Sequence, residues 1–232
     1  MASNSAAAIA VNVLTSPGEA FRTIKEKPSF VLPLVLLLVI PAIAQYIYVS
    51  GVDIQWLTAQ QLAAATDLTE AQIEQQSQAA AEAPRGVIAG FGALAAMLFV
   101  GILMLLQGLY FRIASAVTKS GLLYKQTFSL VCWAGLPSVL TSVASIANLL
   151  ASDISLMPAT EINPLAIWAL LNLEPLGTGT LDQIVMNLDP LALWGLALTI
   201  IGYKIMSGKD YLTAAIIGLL PTALIVGLAF AF

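Results

Sequence analysis

Long apolar runs without charge alternate along this chain with shorter polar segments. The first run is SFVLPLVLLLVIPAIAQYIYVS at residues 29–50. A helix needs about 20 mostly apolar residues to cross a bilayer, so this run predicts a transmembrane helix. Similar runs at residues 86–111, 127–150, 190–206 and 211–232 predict four more. The polar stretches at 51–85 and 151–189 then share one side of the membrane, and 113–126 and the turn Ser207–Asp210 share the other. The fold class is all-α: a five-span membrane domain over 29–232, preceded by an N-terminal segment at 1–28.

Shorter patterns fill in the ends. Ser16 with Glu19 reads as a capping box, and Pro17 suits a first helical position. Phe21 and Ile24 fall on one face, so Pro17–Lys27 reads as a cytoplasmic interfacial helix, apolar side down on the membrane; a solvated linker is the alternative. Residues 6–14, AAAIAVNVL, lack the leading positive charge of a signal peptide and read as a turn or two of interfacial helix. In 51–85, Ala, Gln and Glu dominate, and Thr69 with Gln72 forms another capping box. This predicts a helical excursion broken near 67–69, acting as a spacer or resting on the membrane or a partner. Asn163–Pro164 followed by LAIWALLNL predicts a helix too short to span, interfacial or re-entrant. The run at 176–180 breaks the chain before a second short helix, LDQIVMNL, and Asp189–Pro190 caps the fourth span.

Composition fixes the class. Of the 232 residues, 59% are hydrophobic and 9% charged, against about 25% charged in soluble domains. Mean hydropathy is +0.90. The chain reads as an integral membrane protein, and a net charge of −4 gives no reason to expect a nucleic-acid partner. Of nine basic residues, all but Arg85 lie on the side of the N-terminus. By the positive-inside rule the N-terminus is cytoplasmic and the C-terminus outside. The brevity of the cytoplasmic parts favours a bacterial inner membrane.

The chemistry is sparse. There is no histidine, hence no imidazole metal site and no Ser-His pair. No GxSxG, Walker or GxGxxG motif occurs, and no cofactor or metal is expected. Cys132, in an apolar run, reads as a small buried hydrophobe. No charge sits centrally in a span, where proton relays and ion paths would need one. The neutral Ser138, Thr141, Ser142 and Ser145 line one side of the third span beside Pro137, as packing hydroxyls or as a polar seam for a substrate path. Gly86, Gly90, Gly92, Ala96 and Gly101 place small residues at helical spacing, a pattern that lets helices approach closely in lipid, within this chain or between copies of it.

Three stretches carry a family resemblance: LTSPGEAFRTIKEKPSFVLPLVLL, YKQTFSLVCWAGLPSVL and LDPLALWGLALTIIGYKIMSGKDYLTAAIIGLLP. With the five-span pattern, they resemble the Yip-domain family of membrane proteins, named after interaction with Rab-type GTPases. The resemblance implies a five-helix bundle with a cytoplasmic N-terminus and no catalytic residues. The chain lacks the long cytoplasmic N-terminal region and the Asp-Leu-Tyr-Gly-Pro motif of eukaryotic members, which puts a GTPase partner in doubt. It is similar to the prokaryotic type, some of which accompany ABC-type export systems. The expected function is a non-enzymatic membrane adaptor or scaffold, an accessory subunit of a larger transport or trafficking complex among membrane lipids. The alternative is a small transporter or channel for a neutral or lipidic substrate.

Overall fold

The computed structural model describes residues 5–63, 69–82, 84–173, 180–186 and 188–231, and among these helices are the only extended regular structure. In order they are α1 (Ala6–Thr15), α2 (Pro17–Glu26), α3 (Val31–Gly51), α4 (Ile54–Ala63), α5 (Glu70–Glu82), α6 (Arg85–Val117), α7 (Tyr124–Ala134), α8 (Pro137–Ala151), α9 (Ile167–Leu170), α10 (Thr180–Met186), α11 (Pro190–Ser207) and α12 (Tyr211–Ala231).

Among the described residues four helical stretches are long and apolar enough to cross a membrane: Val31–Gly51, Arg85–Val117, Tyr124–Ala151 and Pro190–Ser207. The sequence reading counts five. The fifth expected span is α12, an apolar helix of 21 residues, of which Tyr211–Leu224 stands among the described residues as a shorter apolar helix.

Helix ends differ from the apolar runs for local reasons. Arg112 ends the apolar run of the second span but not the helix, since arginine is a good helix former. At 33 residues, α6 is about 50 Å long, beyond the hydrocarbon core of about 30 Å. It ends where Lys119 and Gly121 take left-handed φ values of 54° and 72°. The buried Ser115 hydroxyl holds that turn, accepting from the Leu122 N–H at 2.8 Å and pairing with the Ser120 hydroxyl at 2.8 Å. The run 127–150 is divided at Gly135–Leu136 into α7 and α8. Pro137 has no N–H to donate and disfavours helical geometry in the residue before it, so it opens a new helix.

At 163–173 the expected interfacial or re-entrant helix is reduced to one turn, α9. Asn163 Oδ1 accepts from the Leu165 N–H at 3.0 Å, forming a turn around Pro164, and Asn172 adopts a φ of 50°. The Asn163 side chain thus competes with the backbone ladder at the start, and the left-handed Asn172 stops the helix at its end. Most of the expected breaks at 176–180 and 67–69 lies outside the described residues, Thr180 already opening α10. The Thr69–Gln72 capping box forms as read, Thr69 N–H to Gln72 Oε1 at 2.9 Å and Gln72 N–H to Thr69 Oγ1 at 3.4 Å. The Ser16 box does not: its side chain makes no cap bond, and its backbone carbonyl accepts instead from the Glu19 and Ala20 N–H groups.

The contacts divide the chain into two units. The first comprises residues 1–39, 99–141 and 188–232, the second 40–98 and 142–187. In the first unit α11 packs on α2, α7 and α12. Glycine allows the closest approaches. A methyl group at Gly202 would run into the Leu130 side chain and stand 2.9 Å from the Phe21 ring. At Gly218 it would stand 2.9 Å from Ile200 Cγ1. Phe21, Ile24, Leu130, Trp133 and Tyr203 are fully buried there. The apolar face of α2, which the sequence reading lays on the membrane surface, is therefore covered by protein.

Polar atoms tie this unit together. Pro221 cannot donate to the Ile217 carbonyl in α12, and the Tyr110 hydroxyl of α6 donates to that carbonyl at 2.7 Å. In lipid such a freed group needs a protein partner. Thr127 Oγ1 donates to the Gly108 carbonyl at 2.9 Å, and Trp133 Nε1 to the Ser29 carbonyl at 2.6 Å. Gln126 caps α7 by accepting from the Leu123 N–H and reaches α2 by donating to the Lys25 carbonyl at 2.8 Å.

The second unit has its own core. Ala44, Tyr48, Val49, Val52, Ala89, Leu149 and Met157 cluster there, with Trp56, Ile88 and Ile154 against them. The Tyr48 hydroxyl donates to the Met157 carbonyl at 2.9 Å, and the Asp53 N–H to the Ser155 carbonyl at 2.8 Å. Gly51 ends α3 where any side chain would collide with Ile154. Ser155 supports this loop from its side chain as well, since its hydroxyl and N–H bond the Asp153 carboxylate and hold that carboxyl below its ordinary range.

Candidate functional site

The four hydroxyls of the expected polar seam all belong to α8. Ser138 Oγ donates back to the Gly135 carbonyl at 2.8 Å. Thr141 Oγ1 donates to Asp189 Oδ2 at 3.2 Å. Ser145 is buried, and Ser142 is half-buried and bonded. By contact, Ser138 and Thr141 belong to the first unit and Ser142 and Ser145 to the second. Ser138 does line a cleft of about 190 Å³ with Gln107, Gly135, Ala192, Gly195 and Thr199. Thr199 is bonded back onto the Gly195 carbonyl at 2.9 Å.

Asp189 has a larger role than its sequence position indicates. It is 4% exposed. Its Oδ1 accepts from the Leu191 and Ala192 N–H groups at 2.8 Å each, which caps α11, and its Oδ2 receives Thr141. The sequence shows the cap; the link to α8, 48 residues away, it does not.

Of the small residues singled out in α6, Gly86, Gly90 and Gly92 have no described atom within 4 Å of where a Cβ would stand. Gly101 faces Leu38 Cδ2 at 3.8 Å, and Ala96 is half-buried. Within the chain, an added Cβ would come under 3.0 Å from a neighbour at Gly51, Gly202 and Gly218. Cys132 is a free, fully buried thiol. Among the described residues no group of three or more His, Cys, Asp or Glu could hold a metal ion.

Two further concavities carry charge. In the second unit, Asp53, Gln55, Trp56, Ala59, Glu70, Ile73, Glu74 and Ser77 line an open groove of about 550 Å³ between α4 and α5. In the first unit, a cleft of about 360 Å³ lies between α2 and the α11–α12 turn. Arg22, Lys25, Lys204 and Lys209 line it with Glu26, Ile205 and Gly208. The turn is tight because Gly208 adopts a φ of 72° and its N–H donates to the Lys204 carbonyl at 3.0 Å. Lys204 Nζ lies 4.2 Å over the Tyr211 ring.

Helices of this length and hydropathy, tied by buried side-chain bonds, define an all-α integral membrane protein. The Yip1 domain model matches residues 11–232, and the chain belongs to that family. Its members are membrane proteins that are generally non-enzymatic. No curated protein and no solved structure gives a significant match.

Proposed function

We propose that this chain is a non-enzymatic membrane adaptor or scaffold, an accessory subunit of a larger transport or trafficking complex in a bacterial inner membrane. It would have five spans, with the N-terminus cytoplasmic and the C-terminus outside. The observation that carries the reading is the use made of polar groups in the apolar helices. Tyr48, Tyr110, Thr127, Trp133 and Thr141 each reach another segment and bond it. Such a pattern builds a fixed framework rather than a reaction centre or a wet path. The topology draws support from the charge count: eight of the nine basic residues fall in the segments on the side of the N-terminus, and only Arg85 on the other. The resemblance to prokaryotic members makes ABC-type transporter subunits the partner class, with a homo-oligomer as the other assembly open to it.

The test is mild solubilisation from native membranes with an N-terminal tag, followed by mass spectrometry of the purified material. Stoichiometric recovery of transporter or export subunits is the expected result. A lone chain or homo-oligomer in several mild detergents would count against the adaptor. The second reading, a transporter or channel for a neutral or lipidic substrate, draws on the cleft at Gln107, Ser138 and Thr199. Replacing Ser138 and Ser142 by leucine separates the two, since a substrate path loses flux and a packing seam changes only stability.

A further inference from the structure

We propose that the cleft between α2 and the α11–α12 turn binds the phosphate of an anionic phospholipid headgroup. Arg22 and Lys25 come from α2, Lys204 and Lys209 from the end of α11 and the turn beyond it. The two pairs are some 180 residues apart in sequence, and folding brings them to one concave surface. Among the described residues none of the four has a carboxylate within ion-pair distance.

Part of this charge has a local explanation. Lys25 and Lys204 lie in the last turns of α2 and α11, where cations complement the helix dipole. Arg22 and Lys209 lie outside those turns. Each helix end contributes about half a negative charge, and Glu26 adds one, so four cations leave the cleft about two charges positive. Asp210 does not offset them fully. Its carboxylate is directed at the first turn of α12, accepting from the Thr213 N–H at 2.9 Å and the Thr213 hydroxyl at 2.8 Å. Those bonds hold its carboxyl below the ordinary range.

A lipid suits the cleft better than a free anion. Ile205 lines it, and Tyr211 and Leu212, just past the turn, are 61% and 71% exposed. A headgroup in the cleft would place its acyl chains along α12. Basic pockets between membrane helices are a recurrent headgroup site, and the volume is in the range of small-ligand pockets. The proposal stands apart from the adaptor reading, and its test needs no partner.

The test uses the full chain purified in an uncharged detergent, with native mass spectrometry of bound phosphatidylglycerol against phosphatidylcholine. The wild type is expected to retain one phosphatidylglycerol selectively. Each cleft cation is worth about fivefold in affinity, so the double variant Arg22→Gln/Lys209→Gln is expected to bind roughly 25-fold more weakly. The control Lys119→Gln/Lys125→Gln removes two basic residues outside the cleft and is expected to bind like wild type. Equal loss in both double variants would reduce the effect to general charge and overturn the proposal. So would equal retention of the two lipids. Displacement of the lipid by inorganic phosphate at low millimolar concentration would overturn the lipid assignment in favour of a free-anion site.

Discussion

Replacing Gly202 by leucine is expected to abolish recovery of a monodisperse protein, whereas Gly202→Ala is expected to fold with a clearly lower melting midpoint. Gly202 is the point where α11 meets both α2 and α7. A single added carbon already collides with Leu130 and presses on the Phe21 ring at 2.9 Å. Both neighbours are fully buried, so they must repack within the core to make room. Overpacking of this kind costs about 1–3 kcal/mol where a core can adjust. Leucine adds three more carbons at the same place, and relief would require α2 to leave α11. The check is size-exclusion profile and thermal melting in mild detergent. Gly90→Leu serves as control, because a Cβ there meets nothing described within 4 Å. It is expected to match wild type.

The second large effect is expected at Trp133, the bulkiest fully buried side chain of the first unit. Its ring is fully buried, and its Nε1 donates to the Ser29 carbonyl at 2.6 Å, just ahead of α3. Trp133→Ala removes both contributions. Where lipid replaces water as solvent, the transfer part of the loss shrinks, but the emptied volume still forfeits its packing contacts. Destabilisation of about 3 kcal/mol or more is expected. Trp133→Phe keeps most of the volume and leaves the carbonyl without its donor, at about 1–2 kcal/mol. Comparing the melting midpoints of the two variants separates packing from hydrogen bonding. If phenylalanine proves as damaging as alanine, the bond to Ser29 outweighs the packing.

How much of this was legible depended on whether the governing contact is local. The apolar runs, the Asp189–Pro190 cap, the Thr69–Gln72 box and the turn at Gly208 all rest on neighbours a few residues apart, and the sequence displays them. The partners of Tyr110, Thr141 and Trp133 lie 107, 48 and 104 residues away, and no spacing rule points to them. The glycines show the same limit. GxxxG spacing at Gly86 and Gly90 marks a face on which helices could approach, but it does not say whether a neighbour is there. The tight contacts fall at Gly51, Gly202 and Gly218, each isolated in the pattern. The short α9 has another reason: its composition favours helix, while the Asn163 side-chain bond to the Leu165 N–H and the left-handed backbone at Asn172 are single-residue effects that composition averages away. The basic residues were readable as topology signals, but their convergence on one cleft required the fold.

The most direct test of the whole account is which residues face the cytoplasm. Single cysteines at exposed Glu19 and Lys125, and at exposed Gln72 and Ser152, would be labelled in a Cys132→Ser background with a membrane-impermeant maleimide, on intact spheroplasts and on inverted vesicles. The account predicts labelling of Gln72→Cys and Ser152→Cys from the outside, and of Glu19→Cys and Lys125→Cys only in inverted vesicles. Labelling of Lys125→Cys from the outside, or of both sets from the same side, would contradict the proposed topology.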